Sequence, residues 1–407
     1  MRVGRLSVTV GAALLLLAPA AAAEEIPRPI IESIGPAVEV APGITHRDVT
    51  TNLGAGQVMA DVVDVDLSDP AVRVDLLWNG AVASRAPVKA MADRIGAVAG
   101  INGDFFDIGR SNAPAGPAVL AGRALKGAVP QGRRAAPAVP GAEMDYVFAV
   151  DATGVARVDR LPLQGEVRRK GVQLLAQGAE TPLPLPIVAL NQSAVPVNGI
   201  GVFTSDWGDA DRARTLCGSD VDRDARCAID QIELAVRDGR ITEIRPPRGG
   251  PIPPEETVVV GRDMGAVFLR DLVVGDPVSV DYRLEPESGV TPFMAIGGSP
   301  ILRDTRPTDL LNDTARAPRS GVGVTPDGRR MFLVTVDGRQ SDSVGATLLQ
   351  FARMLGELGL DDALNLDGGG SSTLAFRPPG APSTTIVNDP SDASPRLVPN
   401  GIGVWTV

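Results

Sequence analysis

Residues 363–376, ALNLDGGGSSTLAF, run from an apolar stretch into Asp367, then Gly368, Gly369 and Gly370, then the hydroxyls of Ser371, Ser372 and Thr373. An aspartate delivered by a buried strand can serve as a general base, a nucleophile or a clamp on sugar hydroxyls. Bare glycine amides and hydroxyls beside it can cradle an anion or a sugar. Together they suit a substrate carrying both a sugar and a phosphate. A nucleotide-binding phosphate loop would need a Gly-Lys-Ser/Thr ending, which is absent. A serine-hydrolase elbow would need Gly-x-Ser-x-Gly, and neither Ser371 nor Ser372 is framed that way. A tight turn capped by Asp367 is the plain structural alternative. The absence of flanking charge and the adjacent hydroxyls favour the functional one.

Composition narrows the chemistry. The chain holds one histidine, His46, so histidine-rich metal centres and two-histidine phosphotransfer are excluded, and a Ser-His-Asp triad would have to use His46. That residue sits in a Thr-His-Arg-Asp stretch and reads as a surface or core residue. The net charge of −10 argues against a general nucleic-acid or anionic-membrane surface. An anionic substrate must then be held by local arginines, because lysine occurs only at positions 89, 126 and 170.

Residues 1–23 read as an export signal, with Arg2 and Arg5 ahead of an apolar stretch and small residues before Glu24. That stretch is too short to span a membrane, so a secreted or extracytoplasmic protein without stable membrane insertion is expected. Cys217 and Cys227 are the only cysteines, and in such a compartment they are expected to form a disulfide. The bridge would close a short loop outside the motifs, so reduction should leave catalysis largely unchanged. Asp220, Asp222 and Asp224 inside it mimic the start of a calcium loop. Ala225 and Gln231 stand where that loop needs glycine and glutamate, so a solvated loop is the better reading.

The elements that must position these residues are mostly strands. Forty-six glycines and 35 prolines with few aromatics imply many turns, and a 44% hydrophobic content is ample for a core. The expected fold is α+β, with mixed sheets and few helices. Residues 24–42 read as a proline-rich, extended lead-in, and 114–140 as irregular connection. The segment 143–288 is a β-rich centre with hairpins turning at Thr153-Gly154 and Asp238-Gly239, and a further hairpin turns at Asp327-Gly328. A short helix is predicted over Val88 to Arg94. A longer amphipathic one is predicted over Val344 to Leu358, capped by Asp342 or Ser343 and ended by Gly359. KAMADRIGAVAGINGDFF and FARMLGELGLDDALNLDGGG share one order: helix, glycine, apolar strand, then Asn or Asp and Gly. Either the two strand ends converge on one cleft, or this is the ordinary grammar of helix-to-strand units.

INGDFFD, IGGSPIL, APRSGVGVTPDGRRMFLVTVDGR, SVGATLLQFARMLGELGLDDALNLDGGGSST and NDPSD followed by PRLVPNGIGV occur in this order. This series resembles the phosphodiester glycosidases, over about 43–407 and most densely over 295–407; the 205–230 loop has no counterpart. The resemblance implies a hydrolase of carbohydrate metabolism acting at the C1–O bond of a sugar-1-phosphodiester; with the export signal, a cell-envelope or extracellular polymer is the expected substrate. Carried over by motif, the candidate catalytic residues are Asp367, Asp337 and Asp104. The candidate substrate-binding residues are Asn102, Arg319, Arg339, Gly368, Gly369, Gly370, Ser371, Ser372, Ser391, Asp392 and Arg396. No metal ligand is assigned and no cofactor is required, though weak oxygen-held Ca²⁺ or Mg²⁺ is compatible. A phosphomonoester is a good leaving group, so histidine is not needed as a strong general acid. Two other readings compete: a metal-dependent phosphodiesterase cutting the P–O bond, and an envelope-glycan binding protein without turnover.

Overall fold

The computed structural model describes residues 30–130, 133, 144–170 and 184–407; the expected export signal lies outside them. Two antiparallel sheets pack face to face, and a helix covers the outer side of each. The larger sheet has nine strands. Its central members are Gln57–Asp66, Arg330–Val336, Arg319–Val324, Asp362–Asn365 and Ser299–Arg303, in that spatial order. The second sheet orders Thr385–Ile386, Leu374–Phe376, Ala99–Asn102, Asn400–Thr406 and Val72–Trp78.

Strand alternation explains the layering. Val63 and Val65 join Met331, Leu333, Val322 and Leu364 on the inner face, against Val74, Leu76, Ile101, Leu374 and Ile402 of the second sheet. Val58, Ala60 and Val62 point the other way, with Val334 and Val336, onto Phe351, Met354 and Leu355 of helix Leu348–Glu357. Helix Val88–Arg94 covers the second sheet through Val88, Met91 and Ala92 against Leu77. With three short helices among the described residues, the α+β, sheet-dominated class is the one observed.

The two sheets repeat one plan. Strands Ser299–Arg303, Arg306–Pro307, Arg319–Val324 and Arg330–Val336, helix Leu348–Glu357 and strand Asp362–Asn365 follow one another in the chain. Strands Leu374–Phe376, Thr385–Ile386 and Asn400–Thr406 begin the same series. Val72–Trp78, helix Val88–Arg94 and Ala99–Asn102 complete it from the N-terminal side. Spatial order and register agree: Gly321 pairs with Asn365 as Gly401 pairs with Asn102. Asn102 therefore corresponds to Asn365, and Asp104 to Asp367. The echo in the sequence is a duplicated unit, and its two strand ends do converge.

Residues 103–298 lie between the halves of this plan and build two five-stranded sheets and one three-stranded sheet. The hairpins at Thr153-Gly154, Asp238-Gly239 and Asp327-Gly328 form as the sequence predicts. Three expectations need correcting. Within 114–140, Ala118–Leu120 and Arg123–Lys126 are strands, paired to each other. In the lead-in, Ile31–Ile34 and Val38–Ala41 both pair with Ile44–Asn52. The long helix starts at Leu348, not Val344: Ala346 is held in a β-bridge to Ala317, and Thr347 with Gln350 forms the capping box.

Candidate functional site

Asp367 lies two residues beyond strand Asp362–Asn365, where the two sheets meet. Its amide donates to the Gly103 carbonyl at 2.9 Å, and its carbonyl accepts from Asn102 Nδ2 at 2.6 Å. Asn102 Oδ1 accepts from Ser320 Oγ at 2.7 Å and from the Thr373 amide at 3.0 Å. Asn102 is fully buried. The sequence suggests a substrate contact there; in the structure this side chain instead stitches the sheets together.

Three glycines are needed because three groups crowd the loop. A Cβ on Gly368 would meet the Pro318 carbonyl at 2.7 Å, and one on Gly370 would fall 2.0 Å from Asp392 Oδ2. Gly369 has a φ of +60° and lies under the Arg339 guanidinium, whose nearest nitrogen would be 3.2 Å from an added Cβ. The loop is thus packed between one arginine and one acid.

Asp367 is pushed up to about 6, chiefly because burial disfavours its charge, with the Asp104 carboxylate adding to the push. The Ser371 hydroxyl, donating to Asp367 Oδ2 at 2.5 Å, and the nearby Arg396 oppose that push. Arg396 ion-pairs with Asp392 at 2.8 Å and reaches Ser371 Oγ at 3.4 Å. Among the described residues, the Oγ atoms of Ser372 and Ser391 are buried without a partner. Asp392, Arg396, Ser371 and Asp367 thus form one connected set.

Two arginines flank the loop without an acid. Arg319 donates Nε to the Ala346 carbonyl at 2.9 Å and Nη2 to the Ala315 carbonyl at 2.8 Å. Among the described residues neither Arg319 nor Arg339 has a carboxylate within ion-pair distance. Burial, and then the Arg339 charge beside it, lowers Arg319 to about 10. Two like charges held together with no counter-ion favour a bound anion between them.

Asp104 and Asp337 sit farther back. Asp104 is almost fully buried; its Oδ1 accepts from the Phe105 amide at 2.8 Å and its Oδ2 from the Gly116 amide. Asp337, also buried, is pushed up to about 6 by desolvation. Its Oδ1 accepts from the Asp389 amide at 3.0 Å and from Asn388 Nδ2 at 3.3 Å. Asn388 also reaches the Ser372 carbonyl at 3.2 Å, and its Oδ1 takes the Leu374 amide at 2.8 Å. Asp337 therefore touches the glycine loop from behind, through Asn388.

Sequence reasoning passed over Asn388, Asn400 and Ser320, although all three stand in the family-like motifs. Asn400 Oδ1 accepts the Asp104 amide at 3.1 Å. The signal was polar residues in otherwise apolar or turn-forming runs, which spacing alone does not separate from turn chemistry.

His46 is better connected than the sequence suggests. Its Nε2 lies 2.8 Å from Asp61 and 3.7 Å from Asp48, and the ligand-capable atoms of all three fall within 4.8 Å of one another. The Asp61 charge also contributes to the upward shift of Asp337.

The Cys217–Cys227 disulfide forms. The Asp220, Asp222 and Asp224 carboxylates are taken up by separate partners: the Val197 amide, the Asp224 amide and Arg110. The expectation that this loop lies away from the motifs fails. Arg110 donates to the Arg223 carbonyl at 2.6 Å as well as pairing with Asp224, and Arg223 Nη2 lies 3.9 Å from Asp107. The loop thus braces the segment that follows Asp104. Thiol titration of the denatured, non-reduced protein is expected to find no free thiol. Reduction is expected to cost about 2–3 kcal/mol of stability and to lower kcat/KM several-fold. An unchanged kcat/KM in the reduced, folded protein would return the loop to a peripheral role.

The family model for phosphodiester glycosidases matches residues 230–405. No curated protein matches the chain by sequence. Among solved structures, a hypothetical protein from Synechocystis is similar at 23% identity and a TM-score of 0.70; the match covers 93% of this chain and 64% of that one. The chain thus spans less than two thirds of that protein's length. A protein of Burkholderia pseudomallei is similar at 22% identity and a TM-score of 0.63, covering 86% of this chain and 74% of that one. These two share the fold. The zebrafish N-acetylglucosamine-1-phosphodiester alpha-N-acetylglucosaminidase catalytic domain aligns at 15% identity and a TM-score of 0.44, over 93% of this chain and 89% of its own.

Proposed function

We propose, on the premise that residues 230–405 form a phosphodiester glycosidase domain, that this protein hydrolyses the C1–O bond of a sugar-1-phosphodiester. The observation that carries this reading is the pairing of one raised carboxylate with two acid-free arginines across a glycine loop. A family domain supports a glycosidase-type function; the substrate class is our inference from the charges.

In this mechanism the bridging phosphate lies between Arg319 and Arg339. Their guanidiniums offer paired N–H donors to oxygens that gain charge as the C1–O bond breaks. The leaving phosphate needs little protonation, so the central demand is at C1. There Asp367, ionised above about pH 6, attacks C1 or takes a proton from the attacking water as positive charge builds on the sugar. Ser371 holds Oδ2 of that carboxylate, and the Gly368 amide also supports its charge. Arg396 fixes Ser371 and Asp392, and Asp337 supports the loop through Asn388. No step requires a metal. Should a cation be bound, His46, Asp48 and Asp61 are a grouping able to hold it.

No helix among the described residues is long and apolar enough to cross a membrane. The disulfide and the signal-like N-terminus support an extracytoplasmic setting, and there the substrate would be an envelope or extracellular glycopolymer. Turnover of a panel of synthetic sugar-1-phosphodiesters is the test: free sugar and a phosphomonoester are expected. Binding without turnover across the panel would make this a glycan-binding protein instead.

A further inference from the structure

Lys126 is fully buried, one of the largest side chains with no exposure at all. A buried ammonium is costly unless each of its protons finds an acceptor. Here Nζ donates to the carbonyls of Ala115, at 3.2 Å, and of Gly116 and Gly127. The Ala115 carbonyl and the Gly116 N–H belong to one planar peptide group. That Gly116 N–H donates to Asp104 Oδ2. A cation on the oxygen of a peptide polarises its N–H, so the hydrogen bond to the carboxylate is strengthened. The surrounding backbone admits little slack. Ala115 N donates to the Phe105 carbonyl at 2.8 Å, and a Cβ on Gly297 would meet Gly116 Cα at 2.6 Å and Asp104 Oδ2 at 2.5 Å.

We infer that Lys126 is a positioning residue: through the Ala115–Gly116 peptide it fixes the Asp104 carboxylate, which in turn acts on Asp367. Asp104 is the counterpart of Asp367 in the duplicated plan, and its charge opposes ionisation of Asp367. The inference rests on the reading of Asp367 as the reacting carboxylate. It adds a residue that lies outside every motif from which the function was read.

A double-mutant cycle on the full chain tests it, with the synthetic sugar-1-phosphodiester that turns over fastest. Lys126→Met is expected to lower kcat about tenfold with KM within about twofold, and Asp104→Asn to lower kcat by more than that. In the Asp104→Asn background, adding Lys126→Met is expected to change kcat by less than about twofold, since its route to the site is already cut. Multiplying effects would overturn the inference and make Lys126 a purely structural residue. If Lys126→Met does not fold, Lys126→Gln, which keeps donors for the carbonyls, takes its place in the cycle. Failure of both to fold would also assign Lys126 to the fold alone. An Asp104→Asn enzyme with wild-type kcat would end this inference while leaving Asp367 untouched. Loss of the Asp367 assignment would show separately, in an active Asp367→Asn variant.

Discussion

Asp367→Asn is expected to lower kcat/KM by about 10³-fold or more, because it removes the carboxylate proposed to meet C1 while keeping its shape. A folded variant that keeps more than about a tenth of the wild-type value, a loss under about 1.4 kcal/mol, would remove Asp367 from the mechanism. The same substitution is expected to stabilise the protein. A carboxyl raised from 3.8 to about 6 in the folded state binds its proton more tightly there than in the unfolded chain. Its stabilising contribution is therefore full below about pH 4 and is lost as the pH climbs through 6. At pH 8 wild type carries that loss and the neutral Asn does not, so the variant should gain about 1–3 kcal/mol. At pH 4 the gain should vanish. Urea unfolding of both proteins at the two pH values checks the sign. Wild-type kcat/KM should fall below about pH 6 as Asp367 takes up its proton. Asp337 titrates in the same range, so the acid limb must survive in Asp337→Asn if it belongs to Asp367.

Arg339→Met is expected to lower kcat/KM by about 10²-fold without loss of stability. Arg339 makes no hydrogen bond or ion pair among the described residues, so its removal breaks nothing in the fold and relieves its repulsion with Arg319. Arg319→Met should cost at least as much activity, but with some instability, because Arg319 also holds the Ala346 and Ala315 carbonyls. Kinetics and thermal melts on the two variants separate these outcomes. An Arg339→Met enzyme within about threefold of wild type would show that the phosphate lies elsewhere.

Much of this candidate site was legible in the sequence because its parts are chemically loud. An aspartate followed by three glycines at a strand end can be seen without coordinates, and so can arginines in short motifs. The local helices and hairpins were legible for a similar reason: alternation and turn residues act over a few positions. The long helix's start was missed because Asp342 and Ser343 are also good caps, and only the tertiary bridge from Ala346 to Ala317 decides against them. The sequence could not separate residues that face the cleft from residues that hold it up. Asn102 and Asp104 share a motif with no sign of burial, yet both are sealed in by contacts to residues far along the chain. The Cys217–Cys227 loop was misplaced because its grip on 107–110 runs through Arg110 and Arg223, surface-type residues carrying no motif. Lys126 gave no signal at all, since the carbonyls of Ala115, Gly116 and Gly127 that it reaches are backbone groups.

The bond that breaks separates a glycosidase of this design from a metal-dependent phosphodiesterase built on the same acids. Hydrolysis of a synthetic sugar-1-phosphodiester in ¹⁸O-labelled water, with both products analysed by mass spectrometry, reads it directly. Cleavage at C1–O, with Asp367 serving the sugar carbon and Arg319 and Arg339 the departing phosphate, places the label in the C1 hydroxyl of the released sugar. Label in the phosphomonoester would mean attack at phosphorus, and would contradict the proposed roles of all three residues.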